Sequence, residues 1–471
     1  MVASEVFPFA KTGGLADVAA ALPRALARLG HDVVVFTPGY RGAREGRLVH
    51  RGTVTLGRYR HDYALHEVPL GDRARVLLVD CPALYDRAAL YHEHGVDYPD
   101  NPRRFAVLSA VAVEWAATQS PPIDVLHGHD WQAGLLPVFA RRLPTAATVF
   151  TVHNLAYQGT VPKHWVTDLG LSWHDFHPDG FEFHDQLSFL KAGLFYSQAL
   201  TTVSPTYAEE IQTAEAGEGF DGIVRARRDR LTGILNGIDD DEWNPETDVH
   251  LPVPYSARDL SGKALCAAAL RQHLRLPTPA SPGEVPLIGL VSRMVEQKGF
   301  DLLAQLRSDL LSLGAQFAVL GSGEPRFEQF WQLLAAEAPD RFRVTLGFNE
   351  ALAHLIEAGS DLFLMPSRFE PCGLNQMYSL RYGTVPVVRL VGGLADTVTP
   401  YRDGHPGGTG FGFRPYTAEA LLTTLRQALQ VYRERPADWR LLQQRGMALD
   451  LSWARSARAY VRVYKGVLAP R

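Results

Sequence analysis

Pro366-Ser367-Arg368-Phe369-Glu370-Pro371-Cys372-Gly373-Leu374-Asn375-Gln376 follows an unbroken apolar run, Asp361-Leu-Phe-Leu-Met365. The run reads as a short buried strand. Asn375 to Tyr382 reads as a helix, with Gly383 as its stop. The stretch is therefore a strand-to-helix turn carrying one carboxylate, Glu370. Gly373 lacks a Cβ, which permits close approach to the backbone. The amides of Leu374 and Asn375 fall at a helix N-terminus, where free N–H groups and the helix dipole favour a phosphate. A carboxylate for sugar hydroxyls beside amides for a diphosphate suits a nucleotide-sugar. An ordinary capped loop explains the turn equally well when it is read alone.

The same form recurs along the chain. Lys11-Thr-Gly13-Gly14-Leu15 precedes an apolar-periodic helix, Ala16 to Leu29, and the buried strand Asp32–Thr37 follows, giving a βαβ unit. The Gly-Gly loop is not the dinucleotide fingerprint G-x-G-x-x-G. Lys11 adds a point charge to it. Met1–Glu5 looks like the end of a strand. Asp124-Val-Leu-His-Gly-His-Asp130-Trp131 ends a strand in polar residues and leads into a helix from Gln132. Thr148-Val-Phe-Thr-Val-His153-Asn154 does the same. Residues 52–80 hold several short strand candidates, 84–104 form a long polar excursion, and 104–118 an amphipathic helix. Residues 184–203 read as a helix and then a short strand. Pro286–Ser292 opens a second alternating run, ending in Arg293 and Lys298 beside Gly299. Later strands end in Gly321-Ser-Gly323, in Gly347-Phe348 and in the opening stretch. Ligands of open parallel sheets bind beyond the carboxyl ends of strands, so these polar strand ends are the candidate site.

At 471 residues the chain is too long for one typical core. It is 46% hydrophobic and 21% charged, with net charge −4, which gives no electrostatic case for nucleic acid or an anionic membrane. Its three cysteines, Cys81, Cys266 and Cys372, are widely spaced and fit a reducing cytosol instead of a disulfide or metal framework. No apolar run is long enough to span a membrane, and no signal peptide is read at residues 1–10. The expected architecture is α/β: two doubly wound, Rossmann-like domains facing across a ligand-binding cleft. The domains are placed at 1–243 and 285–452, with a proline-rich linker region at 244–284. The helix at 453–471 is expected to pack back on the first domain.

An ordered set of motifs then resembles the glycogen/starch synthase family of retaining glycosyltransferases, with its two-domain GT-B architecture. They are Lys11-Thr-Gly-Gly-Leu-Ala-Asp17-Val, Tyr98-Pro-Asp-Asn101-Pro-Arg-Arg-Phe105, His129-Asp130-Trp131, His153-Asn154-Leu-Ala-Tyr-Gln-Gly159, Val203-Ser-Pro-Thr-Tyr207, Leu235-Asn-Gly-Ile-Asp239, Ser292-Arg293 with Gln297-Lys298-Gly299, Pro366 to Gly373, and Gly392-Gly-Leu-Ala-Asp-Thr397. The resemblance implies transfer of glucose from ADP-glucose to the non-reducing end of an α-1,4-glucan such as glycogen, in the cytoplasm, with no cofactor and no metal. By it, Glu370 contacts the donor glucose, His153 stands by the reaction centre, and Arg293 and Lys298 stabilise the leaving phosphates. It places Lys11, Gly13, Gly14, Asp130, Asn154, Phe348, Cys372, Gly373, Leu374 and Asn375 around the donor, Phe348 against adenine. Trp131, Tyr91 and Asn101 fall on the acceptor side.

This chain departs from the family pattern in a first strand that looks short, in Asn375 for a usual Thr, and in Gln132 for a usual His. Tyr378 agrees with the synthase branch, not with sucrose- or trehalose-type relatives. Two rival readings are a relative using UDP-glucose or another acceptor, and a non-catalytic glucan-binding protein.

Overall fold

In a computed structural model of the chain, residues 1–41, 45–143, 145–281, 283–404 and 407–469 are described. Position 282 of the expected linker and positions 470–471 of the expected last helix lie outside them. The chain divides into two compact units, Met1–Gly237 with Trp453–Arg471, and Ile238–Ser452.

The first unit is built on two four-stranded sheets. One contains β1 (Val33–Pro38), β2 (Arg47–Leu56), β3 (Tyr59–Pro69) and β4 (Ala74–Asp80) in the order β1-β4-β3-β2. The other contains β5 (Val125–His129), β6 (Ala147–Val152), β7 (Ala199–Thr202) and β8 (Leu231–Gly233) in the order β8-β7-β6-β5, all parallel. Val2 joins them: it pairs in parallel with Phe36 of β1 on one side and Gly128 of β5 on the other. Four backbone hydrogen bonds, among them Val2 N–H to His127 O and Phe36 N–H to Met1 O, both 2.8 Å, complete the ladder. The strand ending expected at Met1–Glu5 is thus a central strand. The next strand in sequence lies to one side of it and β5 to the other, which makes its carboxyl end a topological switch point.

Helix α1 (Gly14–Arg28) leaves this switch point. Its buried face, including Val18 and Leu22, shares a core with Val35, Val76, Trp453, Ala457 and Tyr460. The C-terminal helix Trp453–Leu468 thus belongs to the first unit.

The second unit carries one six-stranded parallel sheet. Its strands are β9 (Leu287–Val291), β10 (Gln316–Gly321), β11 (Phe342–Leu346), β12 (Leu362–Met365), β13 (Val385–Arg389) and β14 (Phe411–Phe413), in the order β11-β10-β9-β12-β13-β14. Sheets covered on both faces need apolar residues at every position, and the runs in β9, β10 and β12 supply them. This order places the switch point between β9 and β12. Residues 244–284 belong to this unit, where helix Ser261–Leu274 packs on helix Glu350–Gly359.

The sequence reading misplaced three elements. The short strands expected over 52–80 include a long antiparallel pair, β2 and β3. The helix expected from Gln132 is a single 3-10 turn, Trp131–Ala133, followed by the short helix Leu136–Ala140. The helix expected from residue 184 begins only at Phe189, because His184 and Asp185 take φ of 51° and 61° in a tight hairpin between Glu182–Phe183 and Gln186–Ser188. Ser188 then caps the helix, accepting from Lys191 N–H at 3.2 Å.

The excursion at 84–104 is held by a buried cation. Arg104, on helix α2 (Asn101–Ala117), is fully buried. Its guanidinium donates to Leu84 O, Leu90 O and Asn101 Oδ1 at 2.8, 2.9 and 2.6 Å. Arg104→Lys keeps the charge but cannot span all three acceptors. Losing charge-assisted bonds inside the core is expected to cost about 3 kcal/mol, a fall in Tm on the order of 6 °C. Thermal unfolding of the variant checks this; an unchanged Tm would mean the loop stands without the guanidinium.

Candidate active site

The candidate residues of the second unit, Phe348 apart, gather at its switch point. β9 ends in Arg293 and Lys298, and β12 ends in Ser367 and Glu370. Lys298 Nζ donates to Glu370 Oε2 at 2.6 Å, and Ser367 Oγ donates to the same oxygen at 3.0 Å. The Glu370 side chain is 6% exposed and that of Lys298 19%. Gly299 makes this approach possible: it takes φ of 79°, and a Cβ there would lie 2.1 Å from Pro366 O. Gly392 and Gly393 do the same on the other side, where Cβ atoms would meet Glu370 O at 2.0 Å and Cys372 O at 2.1 Å. The second Gly-Gly pair is therefore a packing device for the Glu370 turn.

Arg293 is exposed, and among the described residues it forms no ion pair. A lysine ammonium has three donors, so Lys298 keeps donors beyond the one given to Glu370. The short helix Asn375–Arg381 starts at this turn, and Asn375 Nδ2 is tied to Val291 O at 2.6 Å. Gly373 has φ of 72°, and the space beside it is filled by Gln376, whose Nε2 donates to Cys372 O and Gly373 O at 3.0 Å. Gln376 thus fixes the turn from behind. Cys372 is buried, and Phe348 is 83% exposed at the end of β11.

The residues of the first unit gather at the carboxyl ends of the Val2 strand, β5 and β6. Lys11 is exposed and bonds Asp17 at 2.7 Å. Gly13 caps α1 in an extended conformation, and Gly14 opens the helix. The Gly13 amide, expected to face a diphosphate, donates to Glu5 at 3.3 Å. Glu5 is 3% exposed and also accepts from Thr12 N–H, Thr12 Oγ1 and Tyr91 Oη. Sequence reasoning missed this carboxylate because it treated Met1–Glu5 only as strand. Tyr91 Oη also bonds Ser4 Oγ at 2.7 Å, and its carbonyl accepts from Asn101 Nδ2 at 2.9 Å. Asn101, expected on the acceptor side, is 5% exposed with both ends of its amide engaged, by Tyr91 and Arg104. It supports the loop that carries Tyr91.

Asp130 has φ of 56° and accepts from the His153 amide at 2.7 Å, joining the end of β5 to that of β6. Burial pushes its carboxyl up to about 7, although the amides of His153 and Asn154 pull it down. Asn154 Oδ1 accepts from Ala156 N–H at 3.1 Å and shapes the following turn. His153 Nε2 lies 3.0 Å from His129 Nδ1. His129 was quoted in a motif but not counted in the site. Behind it, His127 bonds Thr151 Oγ1 at 2.6 Å and Tyr464 of the C-terminal helix at 2.8 Å. Burial pushes His153 down to about 3, and holds His127 and His129 well below the usual imidazole range. A neutral His153 serves as a hydrogen-bond partner for a hydroxyl and brings no charge. Trp131 packs edge-on against Phe105 and Phe189.

These imidazoles set a pH dependence. The fold keeps three histidines neutral that take up protons near pH 6.5 when unfolded. Their stabilisation is complete above that value and is lost as pH falls towards 3. Asp130 works in the opposite sense, losing stabilisation as pH rises from about 4 to 7. Within this cluster the histidines outnumber it, so the cluster contributes a fall in Tm between pH 7 and pH 5. His153→Gln should reduce that fall by up to one proton, about 1.4 kcal/mol per pH unit. Equal slopes in scanning calorimetry would show that His153 charges freely.

Comparison with known proteins identifies the family. Residues 1–226 match the family described as starch synthase catalytic domain, and residues 277–440 match glycosyl transferases group 1. A glycogen synthase of Anaeromyxobacter sp. (strain Fw109-5) is 51% identical over 100% of this chain and 99% of its own. One from Myxococcus xanthus (strain DK1622) is 47% identical over 99% of each. The catalytic domain of starch synthase IV from Arabidopsis thaliana, solved bound to ADP and acarbose, superposes with a TM-score of 0.89 at 34% identity, covering 100% of this chain and 99% of that one. Sucrose-phosphate synthase from Thermosynechococcus elongatus, at 17% identity and a TM-score of 0.62 over 99% of this chain and 98% of its own, shares the fold alone. The two Rossmann-like units are those of a GT-B glycosyltransferase, and the chain belongs to the glycogen and starch synthase family.

Proposed function

We propose that this enzyme transfers glucose from ADP-glucose to the non-reducing 4-hydroxyl of an α-1,4-glucan, with retention of configuration. The observation that carries the reading is the switch point of the second unit. There a buried carboxylate, Glu370, is paired with Lys298, while Arg293 stands unpaired among the described residues on the same strand end. In this reading Arg293 offers its fork and Lys298 its ammonium to the diphosphate, with the amides of Leu374 and Asn375 behind them. Phe348 offers its exposed ring to adenine, and Cys372 and Gly373 form the wall of the donor pocket. Glu370 holds a hydroxyl of the glucose. Of the first unit, Lys11 and Gly14 are assigned to the diphosphate, His153 to the sugar, and Asp130 and Asn154 to the donor. Trp131 and Tyr91 are assigned to the acceptor. The solved relative bound to ADP and acarbose supports this choice of ligands.

The charge that develops on departing ADP is met by preorganised cations, the kind of term that usually dominates catalysis. No metal or cofactor enters the step. The C1–phosphate bond breaks, the acceptor 4-oxygen bonds to C1 on the face the phosphate leaves, and the acceptor proton passes to a phosphate oxygen. Trapping a covalent glucosyl-enzyme would overturn that route in favour of a two-step displacement. The three cysteines are buried and form no disulfide, and no helix among the described residues is long and apolar enough to cross a membrane. Both facts are compatible with the cytoplasm, where we place the reaction.

ADP release on a glycogen primer tests the reading. Turnover of ADP-glucose well above UDP-glucose is expected; the reverse preference would favour a UDP-glucose enzyme. Arg293→Ala is the informative variant, because an exposed residue without an ion pair can be removed at little cost in stability. It should lower kcat/KM by about 100-fold or more, with Tm unchanged. Lys298→Ala and Glu370→Ala should also lose kcat. Lys298→Ala leaves the buried Glu370 carboxylate without its counter-ion, at a cost of about 3 kcal/mol, so Tm must be read beside the rate.

Gly13→Ala separates ligand contact from folding. An added Cβ there meets no protein atom within 4 Å, and φ is −157°. Unchanged Tm with a raised KM for ADP-glucose is expected. An unchanged KM would remove this loop from the donor site.

A further inference from the structure

We propose that the second unit carries a divalent-cation site formed by Glu242, Glu350 and His354. One ligand atom from each residue lies within 4.8 Å of the others. Glu350 and His354 are four residues apart on helix Glu350–Gly359, so they share one face. Glu242 closes the set from the segment after Asp239-Asp240-Asp241, whose carboxylates draw cations towards it.

The imidazole carries the argument. His354 is completely buried, and its Nδ1 lies 2.8 Å from Asp248 Oδ2. The Tyr382 hydroxyl donates to the same oxygen at 2.5 Å. A carboxylate only accepts, so the imidazole proton belongs on Nδ1 and the lone pair on Nε2. Nε2 is a buried atom with no hydrogen-bond partner among the described residues. A histidine whose far nitrogen donates to a carboxylate is the usual second layer of a metal site, fixing both tautomer and ring orientation. The ring is also clamped flat by Trp243, whose centroid lies 3.8 Å away at an interplanar angle of 13°.

One imidazole and two carboxylates form a donor set for zinc and similar first-row ions, and are too few oxygens for calcium. Ligand atoms about 2.0–2.1 Å from a tetrahedral ion stand roughly 3.4 Å apart. The two glutamates are exposed and His354 is clamped, so the carboxylates are the ligands that must close to that spacing. Water completes the coordination. None of these residues belongs to the proposed donor site. The ion would cross-link the 239–250 segment to helix Glu350–Gly359, and its role is structural.

The experiment is calorimetric titration of the chelator-treated full chain with ZnCl2, repeated with CoCl2 to record ligand-field absorption. Wild type is expected to bind one ion per chain and to show a tetrahedral cobalt spectrum and a raised Tm. Glu242→Gln and Glu350→Gln, both at exposed positions, should each weaken binding by at least about tenfold and remove the Tm shift. His92→Gln/His94→Gln, in a separate exposed hairpin, should change nothing. His354→Gln should abolish the cobalt spectrum, with circular dichroism to verify its fold. Absence of saturable one-to-one binding, or wild-type affinity in both glutamate variants, would overturn the assignment.

Discussion

In the second unit, the Lys298 ammonium and the Glu370 carboxylate meet 2.6 Å apart at the ends of two neighbouring parallel strands. The Glu370 carboxylate could not be buried alone; with the ammonium it holds two loops in register. That single contact needs much of the surrounding design. It requires β9 and β12 to be adjacent, which only the crossover order of the sheet provides. It requires Gly299, Gly392 and Gly393 to let backbone close in from both sides. It also requires Gln376 to hold the turn while Glu370 faces away from it. A carboxylate already positioned by its own counter-ion is poised for a sugar hydroxyl, and a lysine so placed is fixed before any phosphate arrives.

The first unit solves the same problem with a different carboxylate. Glu5 ends the central strand and ties the Lys11–Gly14 loop to Tyr91 through Thr12 and Gly13. Two loops far apart in sequence are therefore positioned by one buried side chain. Beyond it, the histidines 127, 129 and 153 form a column of neutral rings running from the C-terminal helix to the site. Their neutrality comes from burial, so the column carries hydrogen bonds without carrying charge.

Much of this was legible in the residues. Apolar runs closed by polar residues mark parallel strands and their carboxyl ends, and the polar residues at those ends were picked out that way. What escaped notice depends on partners remote in sequence. Glu5 looks like one more strand residue until Tyr91 and Thr12 are seen around it. Asn101 was placed on the acceptor side by resemblance, and nothing nearby reveals that Arg104 and the Tyr91 loop engage its amide. The hairpin at Glu182–Ser188 was read as helix because His184 and Asp185, unlike glycine, do not advertise positive φ. His354 stayed silent because Asp248, Trp243 and Glu242 lie about a hundred residues before it.

The C-terminal helix has a bearing on synthesis. Trp453, Ala457 and Tyr460 complete a core that α1 begins, and Tyr464 bonds His127. The ribosome therefore releases the first unit with its α1 surface uncovered. The covering helix emerges only after residues 238–452 have been made. At about 5–20 residues per second this interval is on the order of 10–40 s. The second unit, continuous in sequence, has all its strands by then. The nascent chain thus finishes its inserted part before its first part, and a greasy face of α1 waits in between. That face is where a chaperone has the longest opportunity to act on this protein.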